Sequence, residues 1–286
     1  MTRVMLIGAQ GILGKAMHRR LRETSCEVVT AGRHGCDLSL DLRHMSAFSQ
    51  MFVAANPQWI IHCAATFSND YEESCAVNVA ATRQVLEAVR TAGSPARVVL
   101  IGSAAEYGAV VPEANPIRED HALAPISVYG LTKAWQTQLA SLYASLGVDV
   151  VIARLFNLDG DGISQRLFVG RVRGQIDEVL AGSRTTLELG PLGAIRDYIH
   201  ADEAADQILA IATHGDSGSV YHVASGRPTT MRALLEKHLA ANGLEGLEVR
   251  ESLALSNKSG PDVPVIYADM KRTVRLMNKG RRVAAV

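Results

Sequence analysis

Apolar residues fall in short unbroken runs along this chain: "VMLIG" from Val4, "EVVTAG" after Glu27, "WIIHCAA" from Trp59, "RVVLIGS" after Arg97 and "DVVIARLFN" after Asp149. Between them lie stretches of helical spacing such as "KAMHRRLRE" and "VNVAATRQVLEAVRTAG". A strand with one wet face alternates apolar and polar positions. A strand that is apolar at every position is covered on both faces, as in a parallel sheet sandwiched by helices. The pattern predicts a doubly wound α/β domain. After Asn157 the rhythm changes: "LDGDGISQRLFVGRVRGQIDEVLAGSRTTLELG" and "NGLEGLEVRESLALSNKSGPDVPV" carry more Gly and polar turns, which predicts a smaller C-terminal lobe. "RDYIHADEAADQILAIA" reads as a strand end followed by a helix capped near Asp202 that returns to the first domain. The expected division is residues 1–160 with about 191–225 in the first domain, and about 161–190 with 226–286 in the lobe.

Composition narrows the function classes. The 286 residues, 48% hydrophobic and 20% charged, suffice for one large core and a smaller one. Lys+Arg and Asp+Glu number 29 each, so no net field draws a polyanion, which argues against nucleic acid as a partner. An anionic ligand has to be held by a few placed groups. Cys26, Cys36, Cys63 and Cys75 show neither a CxxC pair nor metal-ligand spacing, so reduced thiols and no metal are expected. The chain enters "RVMLIG" without the pattern of a signal peptide, and no apolar run is long enough to span a bilayer. A soluble cytoplasmic protein is expected.

"GAQGILG" places Gly8, Gly11 and Gly14 after the first strand and at the start of a helix. Glycines there let the main chain approach a pyrophosphate, while the helix N-terminus offers free N–H groups and a positive dipole end. The expected domain is therefore a Rossmann-type dinucleotide binder, with the smaller lobe left to bind substrate. At the end of the second strand an NAD site usually offers a carboxylate to the ribose 2′-OH. Here Gly32 and Arg33 stand there, and a guanidinium suits a 2′-phosphate. NADP(H) is thus favoured, with NAD(H) the alternative if Arg33 is only an exposed loop cation and Asp37 supplies the carboxylate. Asp41 and Leu42 are placed to flank the adenine.

"VYGLTK" puts Tyr129 and Lys133 on one helix face, and Tyr129 follows Ser103 by 26 residues. Ser103 closes an apolar strand, where parallel sheets place their chemistry. A free phenol has a pKa of about 10, and a neighbouring ammonium is expected to lower it so that Tyr129 exchanges a proton. Lys133 also suits the nicotinamide ribose, Ser103 the substrate oxygen, and hydride transfer completes the reaction.

Together "GAQGILG", "IGSAAEYG", "YGLTK", "ARLFN" and "RDYIHADEAADQI" resemble the extended short-chain dehydrogenase/reductase family that acts on nucleotide-diphosphate sugars. "RLFNLDGDG", "QIDEVLAG", "LGPLGAIRDY" and "GPDVPVIYAD" are most similar to its GDP-4-keto-6-deoxymannose reductases. The resemblance implies cofactor contacts at Ile12, Leu13, Ala64 and Ala65 beside the glycines, and a homodimer. It also implies that Asn157 and Arg196 face the substrate diphosphate, with Arg166 nearby and Asp262 at the nucleotide ribose. Plainer readings stay open: an Arg196–Asp197 ion pair, a turn role for Asn157, a cap at Asp262. The family's 4,6-dehydratases carry Asp then Glu after their hydroxyl, as elimination requires. This chain has Ala104 and Ala105, and Glu106 comes one place late, facing the other way on an extended segment. NADPH-dependent reduction of the C4 ketone of a 4-keto-6-deoxy sugar nucleotide, GDP-linked by preference, is the leading reading. A C4 epimerase with retained NAD and a non-catalytic NADP-binding subunit are the alternatives. The Gly32–Arg33 pair disfavours the first of these, and an intact Ser103, Tyr129 and Lys133 the second.

Overall fold

The computed structural model describes residues 1–255 and 263–283. The first half runs β1 (Thr2–Ile7), α1 (Ile12–Arg22), β2 (Cys26–Gly32), β3 (Leu38–Ser39), α2 (Phe48–Ala55) and β4 (Trp59–His62). A short α3 (Tyr71–Ser74) widens into a π segment, Cys75–Ala80, and continues as α4 (Ala81–Thr91). Then follow β5 (Arg97–Ser103), α5 (Val128–Ser145) and β6 (Val150–Leu155). The second half adds β7 (Asn157–Asp159), α6 (Phe168–Leu180), β8 (Leu187–Leu189), β9 (Ile195–His200), α7 (Ala201–His214) and β10 (Val220–Val223). It ends with β11 (Pro228–Thr230), α8 (Met231–Ala241), β12 (Val249–Glu251) and α9 (Lys271–Val283).

Seven strands form one sheet in the order β10-β6-β5-β4-β1-β2-β3, with every pair parallel. Strand β1 shows why the apolar runs are unbroken. Val4 and Leu6 pack with Met17 and Leu21 of α1 and Ile208 of α7, whereas Met5 and Ile7 point to the opposite layer, with Phe48 of α2 and Leu86 of α4. Both parities are dry. The chain winds outward from β1 through β2 and β3, then crosses back to β4 and winds the other way. The crevice over the carboxyl ends of β1 and β4 is the topological switch point, where open α/β sheets bind ligands.

Outside the sheet, α6, β8, α8 and β12 share a cluster that includes Val172, Ile176, Leu187, Leu189, Leu235 and Leu239. A three-stranded sheet, β11-β9-β7, joins β7 and β9 in parallel and β9 and β11 antiparallel. Among the described residues no helix is long and apolar enough to cross a membrane.

Three features differ from expectation. Strand β10 is absent from the apolar runs because "VYHV" carries His222; buried, that ring lies 2.5 Å from the Tyr107 hydroxyl and 3.0 Å from the Asp269 carbonyl. Helix α7 starts at a His200 cap, whose Nδ1 accepts from the Asp202 N–H, while the Asp202 carboxylate pairs with Arg19 of α1. The C-terminal helix was expected in the lobe. Instead α9 packs on α7 and β10, and Leu276 enters the core beneath α1 and α7.

Candidate active site

The switch-point crevice is a cleft of ≈ 990 Å³. At its phosphate end Gly8 has φ +84°, and a Cβ there would come within 2.7 Å of the Ala64 nitrogen, so only glycine permits β1 and β4 to close this turn. Helix α1 begins at Gly11 with no side-chain cap, which leaves its first N–H groups for an anion. Gly8, Gly11, Ile12, Leu13, Gly14, Ala64, Ala65 and Lys133 all line the cleft, as do Arg33, Asp41 and Leu42 at its far end. The Gln10 amide donates to the Gly35 carbonyl at 2.6 Å and so ties the Arg33 loop to the glycine turn. Asp37 does not line the cleft: its Oδ2 accepts from the Thr30 N–H and hydroxyl at 2.9 and 2.7 Å. Asp41 is chelated by Arg43, which holds its carboxyl well below the usual range.

Ser103, at the end of β5, and Tyr129, in the first turn of α5, meet on the wall of the same cleft. Ser127 caps α5 by accepting the Gly130 N–H at 3.0 Å, which sets where Tyr129 emerges. The Phe67 ring lies 4.5 Å from that of Tyr129. Lys133 is buried, and its ammonium donates to the Ile101 carbonyl at 2.5 Å and to Gln136 Oε1. Burial lowers Lys133 to about 8 against the attraction of Glu106. The expected acidification of Tyr129 does not hold in the protein alone: burial pushes the phenol up to about 12, the Ser103 side chain opposing. At neutral pH the phenol is therefore protonated. On β4 and just after it, burial holds His62 near 3 and pushes Cys63 up to about 12, so both are neutral.

Near β7 and β9, Asn157 and Arg196 line the cleft. Asn157 also donates its amide to the Asp197 carbonyl at 3.0 Å, which ties β7 to β9. Asp197 faces inward, where its carboxylate accepts from Ser225 N–H and hydroxyl, Gly226 and Ala268 at 2.7–3.2 Å. Arg166 is exposed and does not line the cleft, because the loop before α6 turns it outward; its N–H donates to Ser164. Asp262 lies outside the described residues.

A family model described as the NAD dependent epimerase/dehydratase family matches residues 4–224. The chain belongs to that family. It is 28% identical over 255 residues to a dTDP-6-deoxy-L-talose 4-dehydrogenase (NAD(P)(+)) of Kitasatospora kifunensis, spanning 85% of this chain and 80% of that protein. A GDP-6-deoxy-D-mannose reductase of Pseudomonas aeruginosa is 28% identical over 162 residues, spanning 56% and 53% of the two chains. In fold, the chain matches the structure of RMD from Pseudomonas aeruginosa complexed with NADPH, with TM-score 0.85, 22% identity and coverage of 97% and 93%.

The glycine cradle and the uncapped α1 fit the dinucleotide of an NAD dependent epimerase/dehydratase. Two supports in this family member escaped the reading of its motifs. Gln136, buried three residues after Lys133, accepts from the ammonium and donates to Thr82 at 2.6 Å, and Thr82 donates to the Asn78 carbonyl at 2.9 Å. Nothing in the "KAWQTQ" pattern marks that chain of bonds, since Thr82 arrives from α4. Glu106 is the other, and its signal was present: "SAAE" has the Ser-x-x-Glu spacing of a capping box. Ala104 and Ala105 line the cleft, whereas Glu106 is turned inward.

Proposed function

We propose that this protein reduces the C4 ketone of a nucleotide-diphosphate 4-keto-6-deoxy sugar to the 4-hydroxy sugar with NADPH. One observation carries the reading: Ser103 and Tyr129 share a cleft wall on which the two positions after Ser103 are alanines. A ketone gaining hydride at carbon needs one proton at oxygen, and Tyr129 is the donor. Ser103 donates to the same oxygen and fixes it against the phenol. Lys133, which lines the same cleft, is assigned the positive charge that favours the phenolate left behind. The bound dinucleotide supplies the hydride. Elimination of water would need a separate acid and base after Ser103, and Ala104 and Ala105 offer neither. The names of the Kitasatospora and Pseudomonas relatives support a sugar nucleotide substrate.

Arg196 and Asn157 serve the diphosphate, and the unit of α6, β8, α8 and β12 is the substrate-binding lobe. GDP-linked sugars are favoured by the "RLFNLDGDG" and "GPDVPVIYAD" motifs. The assay offers GDP- and dTDP-4-keto-6-deoxyhexoses with NADPH and determines the C4 configuration of the product by NMR. NADPH oxidation dependent on a keto sugar supports the proposal; bound NAD with interconversion of two non-keto sugars replaces it with epimerisation. Leu142 and Leu146, exposed one turn apart on α5 and just beyond it, are compatible with the expected homodimer.

Arg33 carries the choice of NADPH over NADH. A charge-assisted contact is worth about 1.5–3 kcal/mol, so Arg33→Ala is expected to weaken NADPH about 10- to 100-fold. NADH is expected to bind as before. Fluorescence titration with the two nucleotides reads the difference, and equal weakening removes Arg33 from the 2′-phosphate.

A further inference from the structure

Glu106 is fully buried, and its two carboxylate oxygens reach three separate elements. Oε1 accepts the Ser103 N–H at 2.7 Å, while the Ser103 hydroxyl oxygen accepts the Ala105 N–H at 3.2 Å, which closes a reciprocal box around the end of β5. Oε2 accepts from the Thr137 hydroxyl on α5 at 2.8 Å, and from Arg154 Nε and Nη2 on β6 at 3.1 and 2.8 Å. Thr137 stands one helical turn beyond Lys133, so this bond grips the face of α5 that carries the lysine. Arg154 is itself buried, donates to the Tyr107 hydroxyl at 2.7 Å and lies 4.6 Å over that ring. Helix α5 also sits hard against the Ser103 turn: a Cβ on Gly130 would run into the Ala105 carbonyl.

We propose that Glu106 is a positioning residue: one carboxylate fixes the main chain of Ser103 against the helix bearing Tyr129 and Lys133 and holds both on Arg154. The proposal rests on the reading of those three residues as the catalytic groups. With one lone pair of the serine oxygen engaged by Ala105, its hydroxyl proton is directed to the phenol or the substrate oxygen. The spacing between Ser103 and Tyr129 is set from beneath the cleft, by a group that touches neither substrate nor cofactor.

A purely structural partner for Arg154 and a tether for Ser103 are separable. A carboxylate at position 137 can neutralise Arg154, because Thr137 already adjoins Oε2, but it cannot reproduce the local ring from residue 106 to the Ser103 N–H. In Glu106→Ala/Thr137→Glu the ion pair is rebuilt without the tether. In Glu106→Leu/Arg154→Leu both charges are replaced by apolar groups, an exchange that buried pairs often tolerate. Each double variant is compared with the full-length wild type in urea midpoint, NADPH affinity, kcat and KM.

The expected result, in whichever variant retains a wild-type urea midpoint and NADPH affinity, is a kcat lower by about 10²-fold with KM nearly unchanged, as for a misplacement near 1 Å. A wild-type kcat in a folded double variant overturns the proposal and leaves Glu106 as a partner of Arg154 alone. If wild type itself reduces no keto sugar, the functional reading fails, and crystal structures of the variants with NADPH still decide the role of Glu106. A Ser103–Tyr129 spacing changed from that of wild type supports it; an unmoved pair overturns it.

Discussion

Tyr129→Phe is expected to lower turnover by about 10²- to 10⁴-fold, the usual contribution of a placed acid, while NADPH binds as it does to wild type. Whereas Glu106 faces inward, the phenol lines the cleft with Ser103 and keeps its proton at neutral pH. Removal of its oxygen takes away the proton and leaves the ring and its contact with Phe67. The pH dependence of wild type checks the same assignment. Lys133 is held near 8, so its ammonium is present below that value and lost as pH rises through it. In the proposed mechanism that ammonium is the positive charge favouring the phenolate formed at each turnover, and its loss removes that support. The rate of ketone reduction is therefore expected to fall as pH rises through about 8, and the fall is absent in whatever activity Tyr129→Phe retains. Unchanged kcat in the variant would remove Tyr129 from the reaction.

The second large effect is on stability. Arg154 and Glu106 are 2% and 0% exposed at their side chains and lie 2.8 Å apart. Taking one charge from such a pair strands the other out of water, at a cost of about 3–5 kcal/mol. Arg154→Leu is expected to lose that amount in urea unfolding, with Glu106 left to the Thr137 hydroxyl and the Ser103 N–H. A surface pair of the same kind, Arg118 with Asp120, supplies the contrast: both side chains are 71% exposed, and Arg118→Ala is expected to change stability by less than about 1 kcal/mol. Glu106→Leu/Arg154→Leu is expected to recover most of the stability that Arg154→Leu loses. A loss from Arg154→Leu no greater than that from Arg118→Ala would mean that the buried pair holds nothing.

Several parts of this molecule were legible in one dimension because the physics behind them is local. The glycine turn needs three residues within seven positions, the Tyr129–Lys133 face needs only helical spacing, and the apolar runs report both dry faces of a parallel strand without naming their neighbours. Even the Glu106 box is written in "SAAE", although that spacing says nothing of the Thr137 and Arg154 that complete its contacts. Other parts had no local signal. His222 breaks the apolar pattern of β10 and is tolerated there because Tyr107 and Asp269 meet its ring. The amphipathic α9 carries its own apolar stripe, yet nothing in that stripe says that α7 rather than the lobe covers it.

The sequence by itself determined the α/β winding, the dinucleotide turn and the placing of Ser103, Tyr129 and Lys133 on one cleft, since each follows from spacing within one element or from the residue types at a strand end. Only the tertiary structure decided that Arg166 turns to solvent, that Glu106 reaches Thr137 and Arg154, and that Tyr129 keeps its proton. Protonation and pairing depend on how much water is excluded, and by which atoms. Those atoms come from elements far apart in the chain, brought together only when the sheet and its helices pack.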